Sequence, residues 1–281
     1  IATLVTSFSY KNIDESVKQE IINRIIDAVA NAKYSYSSLK IYLDPLLDSF
    51  KGNATTLPGK NASVDYASFY NSFLIRYLDF NDTYLSKEPL HPSDMIGGVL
   101  ALASELKSSG KEVIEAIATG YEVGINLCDA GSLRKRGIDH VVFLGVGAAA
   151  AASKLLRLDE NKTANAISLA LVPHIALRET RSGALSMWKG GAAAESVRNA
   201  IFATFLAKSG ITGPELPFSG KMGLISVIFG GKDFDDAVLE KMSGEGVLRT
   251  LIKEFPAEYH AQAAIEAALD IKIKKDVKKV T

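Results

Sequence analysis

Residues 111–126 read KEVIEAIATGYEVGIN, and this stretch decides the fold. Val113, Ile114, Ile117, Ala118, Tyr121 and Ile125 recur at the three- and four-residue spacing that lays them along one side of a helix. The same spacing extends both ways. Upstream, Tyr66, Phe69, Tyr70, Phe73, Leu74 and Tyr77 repeat it, as do Val17, Ile21, Ile22, Ile25, Ile26 and Val29. Pro92-Ser93-Asp94 opens a further helix, with Ser93 the expected N-cap of a run from Met95 to Leu106 and Gly110 its expected stop. Downstream, the alanine-rich stretch from Ala148 to Leu156 lets neighbouring helices approach closely. Asp159 or Asn161 opens a helix towards Leu171, Gly190 to Ala207 gives a long one, and Ala261 to Leu269 a short one. The spacing predicts an all-α chain.

Strand signals are few. Ile225 to Phe229 is a short apolar run that fits a strand or a helix. Ile271-Lys272-Ile273-Lys274 alternates, and Val277 to Val280 extends it. Gly52 to Asn61 reads as an exposed loop. The absence of a repeat of about 30–47 residues speaks against an α-solenoid.

Composition narrows the function classes. The 281 residues suit one large domain or two smaller ones. Hydrophobic residues at 47% and charged residues at 23% exclude a disordered chain. Lys and Arg number 32, as do Asp and Glu, so the chain lacks the broad positive field of a nucleic-acid binder. No apolar run reaches the ~18 residues of a membrane span. The first residues lack a signal-peptide pattern, so the glycosylation sequons at Asn53, Asn61 and Asn81 read as chance and the expected compartment is the cytoplasm. The chain begins with Ile1, so an upstream start is expected. Cys128 is the single cysteine, which excludes an intrachain disulfide and a cysteine-held iron–sulfur cluster. His91, His140, His174 and His260 show no zinc-ligand spacing, and no metal or cofactor is expected.

Polar connectors between apolar helices are where chemistry can sit. Asp79, Asp82, Thr83 and His91 fall on one such connector, and a histidine beside a carboxylate suits proton transfer. Arg136 to His140 and Phe255 to His260 are two more, each of which reads equally as a surface turn. His174 lies among apolar residues and reads as a core or packing histidine. The segment from Asn165 to Lys221 holds six cations against three acids. Its Arg181 and Lys189 stand beside glycines, an arrangement suited to a ligand with several carboxylates. Lys189 and Arg198 are nine residues apart, so they meet one ligand only if the helix starts after Lys189.

An ordered set of motifs resembles the MmgE/PrpD family, which includes 2-methylcitrate dehydratase, cis-aconitate decarboxylase and iminodisuccinate epimerase. The set comprises Asp79-Phe80-Asn81-Asp82-Thr83, His91-Pro92-Ser93-Asp94, Gly120-Tyr121-Glu122-Val123, Asp139-His140, Leu155 to Glu160, Thr180-Arg181, Ser186 to Gly190, Thr212-Gly213-Pro214 and Pro256 to Gln262. The resemblance implies a large helical domain over 1–270, with 271–281 the first strand of a truncated or unseen α/β domain. It also implies a homodimer that needs no cofactor and acts on a small di- or tricarboxylate. The family's active-site positions fall on Asp79, Thr83, His91, His140 and His260. Its substrate-binding cations fall on Arg181, Lys189 and Arg198. Two departures bear on the substrate pocket: Tyr84 stands where the family often has histidine, and Gly97-Gly98 where a proline is often nearby.

The implied chemistry is removal of a proton α to a carboxylate and loss of hydroxide, as in the conversion of 2-methylcitrate to 2-methylaconitate in propionate catabolism. Which histidine is base and which is acid stays open. Decarboxylation and epimerisation need the same carbanion. The rival reading is a non-catalytic helical interaction protein, which the three loop histidines and the basic segment disfavour. Residues 1–281 alone are expected to fold as the helical domain with little activity.

Overall fold

A computed structural model describes residues 1–271 of the chain. In chain order its helices are α1 (Ala2–Ser7), α2 (Glu15–Leu43), α3 (Val64–Arg76), α4 (Ile96–Leu106), α5 (Gly110–Ala130), α6 (Val141–Leu155), α7 (Glu160–Leu171), α8 (Trp188–Ser209), α9 (Leu224–Phe229) and α10 (Gln262–Asp270). Two short strands, β1 (Ala54–Thr55) and β2 (Asn61–Ala62), pair antiparallel between α2 and α3. The all-α expectation holds.

The middle of the molecule is α6. Every residue of it except Lys154 is buried, so it is apolar on all sides, as a fully surrounded helix must be. Its alanines permit this. At Gly120 of α5 a Cβ would sit 2.9 Å from the carbonyl oxygen of Gly147 in α6, and at Gly147 one would sit 2.7 Å from that of Gly120. Backbone meets backbone there, and side chains of any size would push the two helices apart.

Some local expectations are corrected. Ser93 lies inside a 3-10 turn, Pro92–Met95, rather than at an N-cap; its hydroxyl accepts from Asn81 and its N–H donates to Asp82. Lys107, at φ 54°, ends α4. Gly110 instead starts α5, because Ser109 accepts from the Glu112 N–H while Glu112 accepts from that of Ser109. The stretch from Gly52 to Asn61 is the β1–β2 hairpin, with Ala54 and Thr56 buried and the Leu57 N–H donating to Asn71. Ile225 to Phe229 is helical, within α9. His174 is only half-buried, in a surface groove beside Glu195. The expected strand beginning at Ile271 lies outside the described residues apart from Ile271, which follows α10.

Four connectors meet where α3 ends and α6 and α8 begin. The segment after α3 is joined to a strap over 246–261 by two backbone hydrogen bonds between Thr83 and Leu251, each 2.8 Å. Buried Arg24 of α2 holds the same strap through the Thr250 hydroxyl and carbonyl, each at 3.0 Å. The turn before α6 is joined to the one after α7 by Asp139 N–H to Ala176 O and Arg178 N–H to Gly137 O, each 2.9 Å. Residues far apart in sequence thereby line one cleft.

Candidate active site

Asp79 stands at the centre of a cluster of cations. It follows the end of α3 in a left-handed conformation, φ 54°, which turns the chain back. Its Oδ1 accepts from Arg76 at 2.5 Å and Lys253 at 3.2 Å, and its Oδ2 from Lys189 at 2.8 Å. Its backbone carbonyl accepts a second bond from Lys253. Burial opposes the carboxylate's charge, but Arg76, Lys253 and the Lys189 hydrogen bond outweigh it and hold the carboxyl well below its usual range. Asp79 is therefore an anion at any working pH. Three cations on one anion leave positive charge for a ligand.

His91 and His140 lie side by side, ring centroids 5.6 Å apart. His91 Nδ1 is 2.7 Å from the Asp82 carbonyl oxygen and 3.3 Å from the Thr83 hydroxyl. A carbonyl only accepts, so Nδ1 carries the proton and Nε2 keeps the lone pair. Among the described residues Nε2 has no partner. The Asp82 side chain anchors this geometry, accepting from Ser93 N–H at 3.0 Å and Tyr121 at 2.8 Å with Arg24 nearby. At His140, Nε2 accepts from Arg181 at 3.3 Å, and Nδ1 lies 3.4 Å from Asp139. Arg181 is in turn held by Asp139 at 2.9 Å. Burial pushes both imidazoles well down, and so do Arg76 beside His91 and Arg181 beside His140. Both rings are neutral at pH 7.

The strap forms the rim. Lys253 reaches inwards with only 1% of its side chain exposed. Burial pushes its ammonium group down, and Asp79 counters that. Glu258 and His260 stay near solvent, with Glu258 Oε1 2.7 Å from His260 Nδ1 and the His260 side chain 73% exposed. The cleft has a volume of about 220 Å³. The structure thus brings Asp79, Thr83, His91, His140, His260, Arg181 and Lys189 to the lining of one cleft. Larger surface cavities exist, including one of about 410 Å³ beside Lys87 and Phe229, but its lining has no histidine.

Arg198 is the exception. Helix α8 starts at Trp188, so Lys189 already lies within it and Arg198 falls half a turn out of phase. Arg198 instead pairs with Asp65 at 3.3 Å and Glu195 at 3.5 Å, over the Phe50 ring. Tyr84 also points away from the cleft, donating to Asp129 at 2.6 Å. Gly97 and Gly98 serve packing: a Cβ at Gly97 would sit 2.4 Å from Ser72 N. Sequence reasoning missed Arg76, Lys253, Arg134 and the cleft-lining role of Arg178. Arg76 had a signal, as a cation closing an aromatic helix face. Lys253, 174 residues from Asp79, had none. No group of three His, Cys, Asp or Glu side chains among the described residues is placed to hold a metal, and no helix among them is long and apolar enough to cross a membrane.

The family pattern of the MmgE/PrpD N-terminal domain matches residues 1–237. The chain is 34% identical over 234 residues to the mitochondrial 2-methylcitrate dehydratase of Yarrowia lipolytica, covering 77% of this chain and 44% of that protein. It is 31% identical over 274 residues to the 2-methylcitrate dehydratase of Escherichia coli K12, covering 88% of this chain and 56% of that one. An alkylcitrate dehydratase of a fungal species is 31% identical over 236 residues, 77% of this chain and 46% of that protein. The chain spans about half the length of these curated relatives.

Proposed function

We infer, from the premise that this chain belongs to the MmgE/PrpD family, that it supplies the catalytic residues of a dehydratase acting on a citrate-like acid, with 2-methylcitrate the first substrate to test. The observation that carries the reading is His91: a buried, neutral imidazole whose Nδ1–H is fixed on the Asp82 carbonyl, leaving Nε2 as a base. His140 cannot serve in that role as placed, because Arg181 occupies its Nε2 lone pair.

His91 Nε2 takes the proton from the carbon α to a carboxylate. The electron pair left behind forms the double bond as the C–O bond at the neighbouring carbon breaks. The departing hydroxyl takes a proton from the rim, which we assign to His260 oriented by Glu258, and leaves as water. Charge that builds on the substrate carboxylate faces Lys189 and Lys253, whose positions are fixed beforehand on Asp79. The imidazolium formed at His91 is stabilised by the Asp79 charge, which counters burial and Arg76. A well-placed base contributes typically ~10²–10⁴-fold.

The test is an assay of the full-length protein on 2-methylcitrate, following the alkene by ultraviolet absorbance. Turnover that survives a chelator is expected; no turnover of any citrate-like acid removes the reading. The reading extends to a cytoplasmic homodimer whose helical domain ends at residue 270. A monomer in analytical ultracentrifugation would remove the dimer from it.

A further inference from the structure

We propose that Arg134 and Arg178 form a second carboxylate-binding fork at the edge of the cleft, which takes the carboxylate that distinguishes a tricarboxylic acid from a dicarboxylic one. The proposal rests on the dehydratase reading and names the substrate class of that same site.

The cations of the cleft differ in what they already hold. Arg76, Lys189 and Lys253 share Asp79, and Arg181 is paired with Asp139. Among the described residues, neither the Arg134 nor the Arg178 guanidinium has a carboxylate within ion-pair distance. Arg178 Nη1 is buried and has no hydrogen-bond partner. A buried charged donor left unpaired is costly, and an incoming carboxylate removes that cost.

The backbone sets the two arginines at one edge. Arg134 opens a short 3-10 turn, Arg134–Arg136, which ends at Gly137 in the left-handed region, φ 74°. That turn directs the Gly137 carbonyl to the Arg178 N–H, and Ile138 bridges to Leu177. Behind them is Glu88, which accepts from the Arg134 N–H at 2.9 Å and from Ser132 at 3.0 Å. Burial pushes the Glu88 carboxyl up, while both guanidinium groups favour its charge without pairing with it. Glu88 thus orients the fork's backbone through Oε2; its Oε1 is buried without a hydrogen-bond partner, as Arg178 Nη1 is, and no ion pair joins the two among the described residues.

The charge balance agrees. Arg76, Arg134, Arg178, Arg181, Lys189 and Lys253 line the cleft, against Asp79, Glu258 and the Asp139 that pairs with Arg181. The excess is three positive charges before Asp94 and Glu88, both pushed up by burial, are counted. The lysines on Asp79 can take the carboxylate beside the reacting carbon; the fork takes one further away.

The test measures binding to the full-length protein by calorimetry. Its probes are tricarballylate and methylsuccinate, which differ by one carboxylate. Arg178→Gln should weaken tricarballylate roughly 10–100-fold and methylsuccinate by less than about twofold. Arg134→Gln, at a more exposed position, should show the same selectivity at about 3–10-fold. Arg178→Lys, which keeps the charge but loses the planar fork, should fall between wild type and Gln. Unchanged thermal melting shows that the variants are folded. Equal losses for both probes, or no loss for either, overturn the fork. Selective loss in a protein that turns over no citrate-like acid would keep the fork and remove the dehydratase reading.

Discussion

The floor and the rim of the cleft hold their ionisable groups by different means. On the floor, Asp79 carries three cations, and His91 is fixed through a carbonyl whose own side chain is held by Tyr121, Ser93 and Arg24. On the rim, His260 is held among the described residues by Glu258, and 73% of its side chain is exposed. Water screens the rim pair and can exchange with it, whereas the floor keeps its interactions strong and its geometry set in advance. The floor should therefore carry the rate, and the rim should contribute less than the bare presence of a histidine suggests.

The largest expected effect breaks the floor. His91→Asn in the full-length protein should lower kcat by about 10²–10⁴-fold with little change in KM. Steady-state kinetics on 2-methylcitrate decide it, and a loss confined to KM would move the base elsewhere. A pH profile sharpens the same point. His91 is pushed down, so it stays a free base well below pH 6.5 and the acid limb of kcat/KM should lie below that value. Asp79 favours protonated His91, so Asp79→Asn should move that limb lower still; a limb that moves up would contradict the pairing.

Lys253→Met comes next. Losing a charged donor to Asp79 and the substrate should cost roughly 10–150-fold in kcat/KM. His260→Asn should cost about tenfold, since water at the rim can replace a proton donor. A loss at His260 as large as that at His91 would erase the distinction between floor and rim. The smallest effect is expected for Arg198→Ala. Its half-exposed pairs with Asp65 and Glu195 are worth about 0–1 kcal/mol, and kcat/KM should stay within about twofold of wild type.

Arg198 shows where sequence reading stops. On the page it is a cation in a basic segment, as Lys189 is. The residue at which α8 starts decides that the two face different ways, and at that start the Ser186 hydroxyl accepts from the Trp188 N–H. Arg181 makes a related point. It was expected to hold substrate and it lines the cleft, yet its charge is taken by Asp139. Sequence displays charges but not their partners. Arg134 and Arg178, the cleft cations left without an acidic partner among the described residues, stood out less than the ones already paired.

The sequence by itself determined the helical architecture, because periodic apolar spacing forces helix faces together whatever the loops do. It also placed His91 and His140 just before buried helices, where polar residues between apolar runs must lie, and His260 on the connector before the exposed α10. Only the tertiary structure decided which of them keeps an unoccupied ring nitrogen in the cleft. That depends on a carbonyl nine residues away holding one nitrogen, on Arg181 occupying the free lone pair of the neighbouring ring, and on burial keeping both rings neutral. It also decided that Lys253 meets Asp79, through a strap fastened by Arg24 and Thr83. Such contacts join residues with no local relation in the chain, so no spacing or propensity encodes them; they follow from how the finished helices pack.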